Sequence, residues 1–215
     1  MAKTTAPLLS FSAGGQIAKT QVYSTWKGRP YVRRYVIPAN PQTAAQTLTR
    51  STFAFLNALW KFYPAAATTA WALYADGFRI TDRNAFLKAN VSPLRAAADL
   101  DAMVISPAAK SGFMASAMVI TPTTGQLSVA VTAPEIPAGW AIVKCHGLAI
   151  PQQDPNTGSD YSLGYASDDT DPYTVVITGL VDATVYVVGV WFEFTRPDGS
   201  SAFGQSLQDT GTPAP

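Results

Sequence analysis

From residue 117 onward the chain is a series of short runs of strand-forming residues separated by turn residues, and this pattern restricts its second half to an all-β fold. The runs are rich in Val, Ile, Thr, Tyr and Phe, and none of them has a helical period. They cover residues 117–121, 127–132, 141–150, 173–178, 184–195 and 201–207. Strands of this length and spacing predict a β-sandwich.

Two further strand-like runs lie near the N-terminus, at residues 16–26 and 30–37. The Lys27-Gly28 pair between them predicts a β-hairpin, because glycine readily takes the positive φ of a tight turn. Alternation along the second run gives the hairpin two faces. One face carries Tyr31, Arg33 and Tyr35, and the other carries Val32, Arg34 and Val36. Arginines on both faces indicate a strand pair that meets a partner, although arginine stems packed on a core would give the same pattern.

Three helices are predicted between the hairpin and residue 92. In the first, Asn40 is the expected N-cap, and Pro41 fits the first helical position. Apolar side chains at helical spacing continue this helix up to Pro64. The second helix covers residues 65–75, and the third begins at Thr81 or Asp82 and runs through Asn90. An alanine-rich piece at residues 94–103 allows a further short helix.

The sign of the net charge changes at the same place in the chain as the change from helical to strand-like patterning. Residues 1–112 hold 13 basic and 4 acidic side chains, a formal charge of +9, whereas residues 113–215 hold 2 basic and 10 acidic side chains, a formal charge of −8. Two regions of opposite charge favour two domains with different surfaces. The predicted organisation is a basic anchoring domain at residues 1–92, a linker at 93–116 and an acidic sandwich at 117–215. The fold class is therefore an α+β N-terminal unit, with a β-hairpin and about three helices, followed by an all-β sandwich.

The residue inventory argues against catalysis and against a metal or cofactor. One cysteine and one histidine cannot supply the usual zinc ligands. Cys145 and His146 are neighbours on a predicted strand, so their side chains point to opposite faces and cannot form a nucleophile–base pair. No phosphate-binding loop, dinucleotide-binding glycine motif or Gly-x-Ser-x-Gly elbow is present in the sequence. We expect neither a signal peptide nor a membrane span, and no enzyme activity.

An acidic stretch at residues 154–160 superficially resembles a calcium-binding loop. A helix-loop-helix calcium loop needs glycine at its sixth position and glutamate at its twelfth. Ser159 and Tyr165 stand there instead, so that motif fails. The preferred interpretation is a solvated acidic loop, with a looser calcium site between sandwich loops left open.

The hairpin region concentrates the candidate binding residues. The candidates for an interface or an anion site are Lys19, Lys27, Arg29, Arg33, Arg34 and Arg50, and the aromatic interface candidates are Trp26, Tyr31 and Tyr35. Trp, Tyr and Arg are the residue types that anchor interfaces. The competing interpretation is that Trp26, Trp60 and Trp71 build the core of the N-terminal unit, and this is the favoured one for the tryptophans.

The order of these N-terminal motifs resembles a known class of proteins. A basic hairpin (Gly28 to Arg34) is followed by Asn40-Pro41-Gln42-Thr43-Ala44-Ala45-Gln46, then by Trp71 on a helix and by Asn84-Ala85-Phe86. This order is similar to the N-terminal region of structural proteins encoded by tailed bacteriophages and prophages. The resemblance covers residues 14–90 and implies a structural role in or on the virion, with no catalytic residues.

The second half resembles fibronectin type III and immunoglobulin-like domains. In residues 178–190 a leucine, Leu180, precedes a turn and Tyr186, whose hydroxyl is expected to bond back to the backbone as a tyrosine corner. The tryptophan usual on the second strand is absent: Val131 stands near its place, and Trp140 is expected to fill the core instead. Domains of this type serve as spacers, as binding modules or as surface decoration, so the resemblance implies no catalytic activity.

These features favour a virion accessory or decoration protein. Its basic N-terminal domain would dock on the capsid, portal or tail and its sandwich would project outward. We expect the protein to lie in the virion, where its partners are other virion proteins and it is present in several symmetric copies. Contact with packaged nucleic acid is a further option. We expect no membrane contact, and we expect synthesis in the host cytoplasm. The first alternative is a nucleic-acid-binding protein that uses the basic, aromatic hairpin. The second alternative is a carbohydrate- or host-surface-binding module, whose candidate platforms are Trp140, Tyr161, Tyr165, Tyr173 and Trp191.

Overall fold

The computed structural model describes residues 14–37, 39–40, 42–110 and 112–215. The chain forms two compact units, Met1–Gln42 and Thr43–Pro215. The expectations about the N-terminal residues 1–13 and about Pro41 lie outside the described residues.

The described part of the smaller unit is a three-stranded antiparallel ribbon. Its strands are β1 (Gly15–Ile17), β2 (Gln21–Trp26) and β3 (Arg29–Arg34), in the order β1-β2-β3. The predicted turn between β2 and β3 is present, with positive φ at Lys27 (49°) and Gly28 (76°). The first predicted run is interrupted by a second tight turn, in which Ala18 and Lys19 also have positive φ. The hairpin is therefore confirmed, with one additional short strand.

The larger unit begins with helices α1 (Ala44–Leu59), α2 (Ala65–Asp76) and α3 (Asp82–Leu94), with a 3₁₀ turn at Trp60–Phe62. The cap of α1 is Thr43, whose hydroxyl accepts a hydrogen bond from the backbone N–H of Gln46, so the predicted Asn40 cap is wrong. Thr81 caps α3, one of the two predicted alternatives. Residues 95–103 form turns, and the short helix allowed there by the sequence is not formed.

Eight strands follow and form two antiparallel sheets. They are β4 (Ala117–Thr123), β5 (Gln126–Thr132), β6 (Ala141–Pro151), β7 (Gly164–Asp168), β8 (Thr174–Thr178), β9 (Tyr186–Thr195), β10 (Ser201–Phe203) and β11 (Leu207–Gly211). One sheet has the order β4-β5-β8, and the other has the order β10-β9-β6-β7 with β11 also paired to β9. β7 was not predicted, and the last predicted run covers β10 and only the first residue of β11.

The two sheets enclose a hydrophobic core, which makes this region a β-sandwich of the fibronectin III/Ig-like type. Inward side chains come from alternate positions of each strand, such as Leu127 and Val129 on β5 and Val190 and Phe192 on β9, all fully buried. The predicted tyrosine corner is present: the backbone N–H of Val181 donates to the Tyr186 hydroxyl at 3.0 Å. The fold class predicted from the sequence is confirmed.

A second core lies on the outer face of the five-stranded sheet, where the helices pack. Its members from the sheet are Leu148, Ile150, Val187, Trp191 and Phe203, and its members from the helices include Leu56, Leu59, Trp71 and Phe86. The helices and the sandwich thus share one core, because β6 and β9 are apolar on both faces. The chain therefore divides near residue 42, and this differs from the predicted boundary at residues 93–116.

The predicted linker is a packed layer of this second core. Its side chains Leu100, Ile105 and Ser106 have no exposed surface. The backbone carbonyl of Ile105 accepts a hydrogen bond from the Trp71 indole N–H at 3.0 Å. Ala109 exchanges two backbone hydrogen bonds with Phe203, at 2.9 and 3.0 Å. Proline, alanine and serine made this segment resemble a linker, but most of its large apolar side chains point into the core, and Met114 is the exposed exception.

Candidate interaction surface

The candidate residues of the smaller unit are distributed over the two faces of the ribbon. The pairing of β2 with β3 sets Trp26 opposite Arg29, and Tyr31 and Arg33 follow at alternate positions along β3. Residues directly opposite each other in an antiparallel pair share a face. Trp26, Arg29, Tyr31 and Arg33 therefore form one surface, called here the aromatic–arginine face. All four are exposed, and Trp26 has 64% of its surface open to solvent.

The opposite face of the ribbon is more aliphatic. Val32 and Arg34 lie on it, as the alternation predicts, opposite Tyr23 and Gln21 respectively. Tyr23 is buried, and its hydroxyl donates to the Gln21 side-chain oxygen at 3.0 Å. Tyr35 follows the end of β3 and is half-buried. Both faces of the ribbon thus present an arginine.

The ribbon carries positive charge without compensation. Residues 14–42 contain five basic side chains and no acidic one. The ion pairs between described residues join Lys110 to Asp76 and Arg196 to Asp198, and the contact of His146 with Glu193 is an ion pair only when the imidazole is protonated, so none of these five is included. Lys27 places its Nζ atom 4.9 Å from the centroid of the Trp26 ring, a cation–π contact. The concentrated charge gives the ribbon a positive potential that attracts anionic surfaces.

The ribbon also exposes large apolar side chains. Besides Trp26 and Tyr31, the exposed set is Ile17, Val32, Val36 and Ile37. A short ribbon has little core of its own to bury them in, and a partner that covers them removes apolar area from water. Apolar and cationic side chains on one small element favour a protein interface, in which aromatic and arginine residues are enriched.

The remaining candidates lie in the larger unit. Arg50 is exposed on α1, so it belongs to a different compact unit from the other five cations. Trp71 is fully buried and Trp60 is half-buried against Phe86, at a ring-centroid distance of 5.1 Å. The favoured prediction that the tryptophans form a core is confirmed for Trp71 and wrong for Trp26, which lies at the end of a ribbon strand.

Cys145 and His146 point to opposite faces of β6, as predicted. Cys145 is fully buried inside the sandwich, where burial and then the nearby Asp168 raise the pKa of its thiol to about 12. His146 lies on the outer face, with Nδ1 2.9 Å from the Tyr165 hydroxyl and Nε2 3.3 Å from Glu193. Burial lowers the imidazole pKa, and the hydrogen bond with Glu193 opposes this effect. The arrangement satisfies a neutral histidine that donates to Glu193 and accepts from Tyr165.

The acidic loop after β6 is anchored to the helices through Asn156. The Asn156 side-chain oxygen accepts a hydrogen bond from the Thr52 hydroxyl of α1 at 2.6 Å, and Thr52 is fully buried. Asp154 accepts from the backbone N–H of Asn156 at 2.7 Å, which shapes the turn. Within the described residues, no three His, Cys, Asp or Glu side chains are grouped as metal ligands would be. The predicted solvated loop is therefore partly an anchor between two layers.

The aromatic residues considered for carbohydrate binding do not form one exposed platform. Trp191 is fully buried and Tyr173 is buried. Tyr161 stacks against Phe62, with ring centroids 6.1 Å apart. Trp140 packs edge-on against Phe113 at 5.1 Å. Tyr165 is the most exposed member of the set, and its hydroxyl is engaged by His146.

Among the described helices, none combines the length and the apolar character needed to cross a bilayer. No protein-family model and no curated protein sequence matches the chain.

Solved structures similar to the chain are β-sandwich proteins. A fibronectin type III domain of human collagen XX has 17% identity, covers 50% of this chain and 97% of that chain, and gives a TM-score of 0.35. A redesigned β-sandwich protein has 13% identity, covers 46% of this chain and 88% of that chain, and gives a TM-score of 0.33. A myokine structure has 13% identity, covers 48% of this chain and 99% of that chain, and gives a TM-score of 0.34. These similarities concern the fold alone.

Sequence reasoning missed the polar anchors between the layers. Gln152 accepts a hydrogen bond from the Leu100 backbone N–H at 3.0 Å and donates to Asp101. Asn90 is fully buried and bonds to both backbone groups of Val104, at 2.7 and 3.1 Å. A lone Asn or Gln carries no signal by itself, but Asn90 lies one turn from both Phe86 and Leu94 on the buried side of α3, and a buried amide there needs hydrogen-bond partners.

Proposed function

We propose that the chain is a structural protein of tailed-bacteriophage particles that is incorporated through its basic ribbon and displays the larger unit. The order of motifs along residues 14–90 supports the virion class. The ribbon supports the mode of attachment, because it combines uncompensated positive charge with exposed apolar side chains. The larger unit, with its two packed cores, serves as the displayed body.

The observation that carries the proposal is the aromatic–arginine face. Trp26, Tyr31, Arg29 and Arg33 are exposed together on a ribbon that has no acidic side chain between residues 14 and 42. Aromatic and arginine side chains dominate the binding energy of protein interfaces. Proteins that assemble particles need such a surface, since each copy must bind its neighbours.

The test is detection of the chain in particles released by the bacterium whose genome encodes it. The particles are purified on a density gradient and probed with an antibody against the chain. We expect the chain in the particle fraction and at many copies per particle. Its absence from intact particles, with the chain present in the lysate, would rule the proposal out.

A charge-reversal variant tests the role of the ribbon in the same particles. Arg29→Glu, Arg33→Glu and Arg34→Glu together should reduce incorporation at least about tenfold, since each places a carboxylate where a cation is needed. The matched control is Lys61→Glu, Arg79→Glu and Arg95→Glu, which changes the net charge equally at exposed sites of the larger unit. Equal loss in both variants would show that net charge, and not the ribbon, governs incorporation.

A second candidate function, nucleic-acid binding, is favoured by the alternation of aromatic and arginine side chains on one face. Bases stack on exposed aromatic rings while arginines bind the phosphates. Binding of fluorescent single-stranded and double-stranded DNA should then weaken steeply as salt rises. Replacing Lys19, Lys27, Arg29, Arg33 and Arg34 by glutamine should flatten that salt dependence. Affinity that is absent at low salt would remove this function.

A further inference from the structure

The chain carries two surfaces of opposite formal charge in two separate compact units. The ribbon has five basic and no acidic side chains between residues 14 and 42. Residues 43–215 hold 9 basic and 14 acidic side chains, a formal charge of −5. The excess of carboxylates lies in residues 113–215, which contain ten acidic and two basic side chains.

Among the described residues, few carboxylates of the larger unit form an ion pair with a cation of the same unit. The ion pairs between described residues involve two of its carboxylates, those of Asp76 and Asp198, and Glu193 contacts the neutral His146. Asp168 accepts hydrogen bonds from the backbone N–H groups of Thr170 and Thr174, at 3.1 and 2.7 Å, which orders the carboxylate without neutralising it. The surface of residues 113–215 therefore keeps a negative electrostatic potential.

From these two surfaces we infer that the acidic partner of the ribbon is the larger unit of a neighbouring copy of the same chain. The inference takes from the proposed function that the ribbon is the attachment surface. Arg29 and Arg33 meet carboxylates of residues 113–215 in the neighbour. Trp26 and Tyr31 lose their solvent-exposed area in the same contact, which adds apolar burial to the charge attraction.

The charges also determine which parts of two copies can meet. Two ribbons repel each other because both are basic, and two acidic sandwiches repel each other for the same reason. Contact between a ribbon and a sandwich is attractive, so the interface joins different surfaces of the two copies. Such a heterologous interface builds a closed ring when its rotation closes and a filament when it does not.

Site-specific photo-crosslinking between isotope-labelled copies tests the inference on the purified full-length chain. A benzophenone amino acid replaces Tyr31, and the control carries it at Phe53, which is exposed on α1. Copies labelled with nitrogen-14 and nitrogen-15 are mixed in about 1 M NaCl, where charge attraction is screened within about 3 Å, and then dialysed to low salt. Irradiation is followed by mass spectrometry of the linked peptides.

We expect position 31 to link to peptides from residues 113–215, with about half of the links joining the two isotopes, as random exchange between copies requires. Links confined to one isotope, with none joining the two, would mean that the ribbon binds its own chain, and links between two ribbons would mean that the ribbon does not bind the acidic surface. Either result, or no linking above the Phe53 control, overturns the inference. None of these outcomes depends on phage particles, so failure here is distinct from failure of the proposed function.

Sedimentation of the charge variants provides a second readout. Arg29→Glu, Arg33→Glu and Arg34→Glu together should raise the dissociation constant for self-association at least about tenfold at low salt. Lys61→Glu, Arg79→Glu and Arg95→Glu should leave it within about threefold, since those side chains lie outside the ribbon. An unchanged dissociation constant in the ribbon variant, with its circular dichroism spectrum preserved, overturns the inference.

Discussion

At the scale of single residues, the Tyr186 hydroxyl fixes the corner that leads into β9. It accepts the Val181 backbone N–H at 3.0 Å, and the Tyr186 side chain is 2% exposed. Tyr186→Phe leaves that N–H without its partner, which should lower the free energy of unfolding by about 1–3 kcal/mol. Urea denaturation followed by tryptophan fluorescence measures the change.

The matched control is Tyr31→Phe, which removes the same atom from an exposed ring of the ribbon. It should change the unfolding free energy by less than about 0.5 kcal/mol, as surface substitutions usually do. If both variants lose the same stability, the corner hydrogen bond does not contribute to the fold.

His146 should make the stability depend on pH, and it is the only histidine in the sequence. Its pKa is lowered in the folded state by burial, against the opposing hydrogen bond from Glu193 and with a smaller contribution from Lys144. The unfolded chain therefore binds a proton near pH 6.5 that the folded chain does not bind. The free energy of unfolding should fall as pH drops from about 7.5 to about 5.5, by no more than about 1.4 kcal/mol per pH unit.

The pH effect is measured by urea denaturation at several pH values, with His146→Gln as the control. The variant should have the flatter profile in this range. A wild-type profile in which stability rises on acidification would mean that the attraction of Glu193 exceeds the effect of burial, and that the imidazolium is the favoured form.

The sequence predicted those residues whose role follows from local pattern. Tyr186 was identifiable because it follows a leucine and a turn at a fixed spacing, and the opposite orientations of Cys145 and His146 follow from strand alternation. The anchors Asn156 and Asn90 were not identifiable, because their partners are distant in the chain: Thr52 precedes Asn156 by 104 positions. Such contacts depend on how layers pack, which a single sequence does not encode locally.

At the scale of elements, the segment before β4 crosses β10 at very short range. A Cβ atom on Gly204 would lie within van der Waals overlap of the Phe113 backbone carbonyl, and one on Gly112 would overlap the carbonyl of Phe203. A backbone carbonyl cannot rotate away as a side chain can. Gly204→Ala should therefore destabilise the fold by about 2–4 kcal/mol, measured by thermal and urea denaturation.

Gly77→Ala is the control for that substitution. Gly77 follows α2 with an ordinary φ of −63°, and the nearest atom to an added Cβ would be the Tyr74 carbonyl oxygen at 3.6 Å. The variant should be neutral or slightly more stable, since alanine restricts the unfolded chain. Equal destabilisation at both glycines would contradict the close crossing described here.

The elements themselves were largely predictable, and their packing was not. Turn residues and alternation located six of the eight strands of the larger unit, and the last predicted run reached only the first residue of β11. The covering of the outer sheet face by helices was missed, although a signal was present. Strands buried on both faces are apolar without alternation, and β9 (Tyr186–Thr195) is such a run.

At the scale of the whole molecule, the shared core means that the sandwich depends on the helices. Leu148, Ile150, Trp191 and Phe203 are each at most 1% exposed, and the helical layer covers them. A chain limited to residues 113–215 would expose all four to water. We expect it to aggregate or to bind hydrophobic dyes, as measured by light scattering and dye fluorescence.

Removal of residues 1–42 should have the opposite result. The chain of residues 43–215 retains both cores, so it should remain monodisperse and melt within a few degrees of the full chain by differential scanning calorimetry.

For the fragment of residues 113–215, a soluble chain that folds cooperatively would contradict the shared core.

The helical layer also determines how a gene for this protein can exchange parts with other genes. A crossover near residue 113 would join a sheet to a foreign sequence that lacks the matching helices, and the hybrid would inherit half of a core. A crossover near residue 42 separates the two compact units and leaves Trp71, Trp191 and their neighbours together. Related genes should therefore differ as blocks on either side of residue 42, and residues 43–215 should be inherited as a single block.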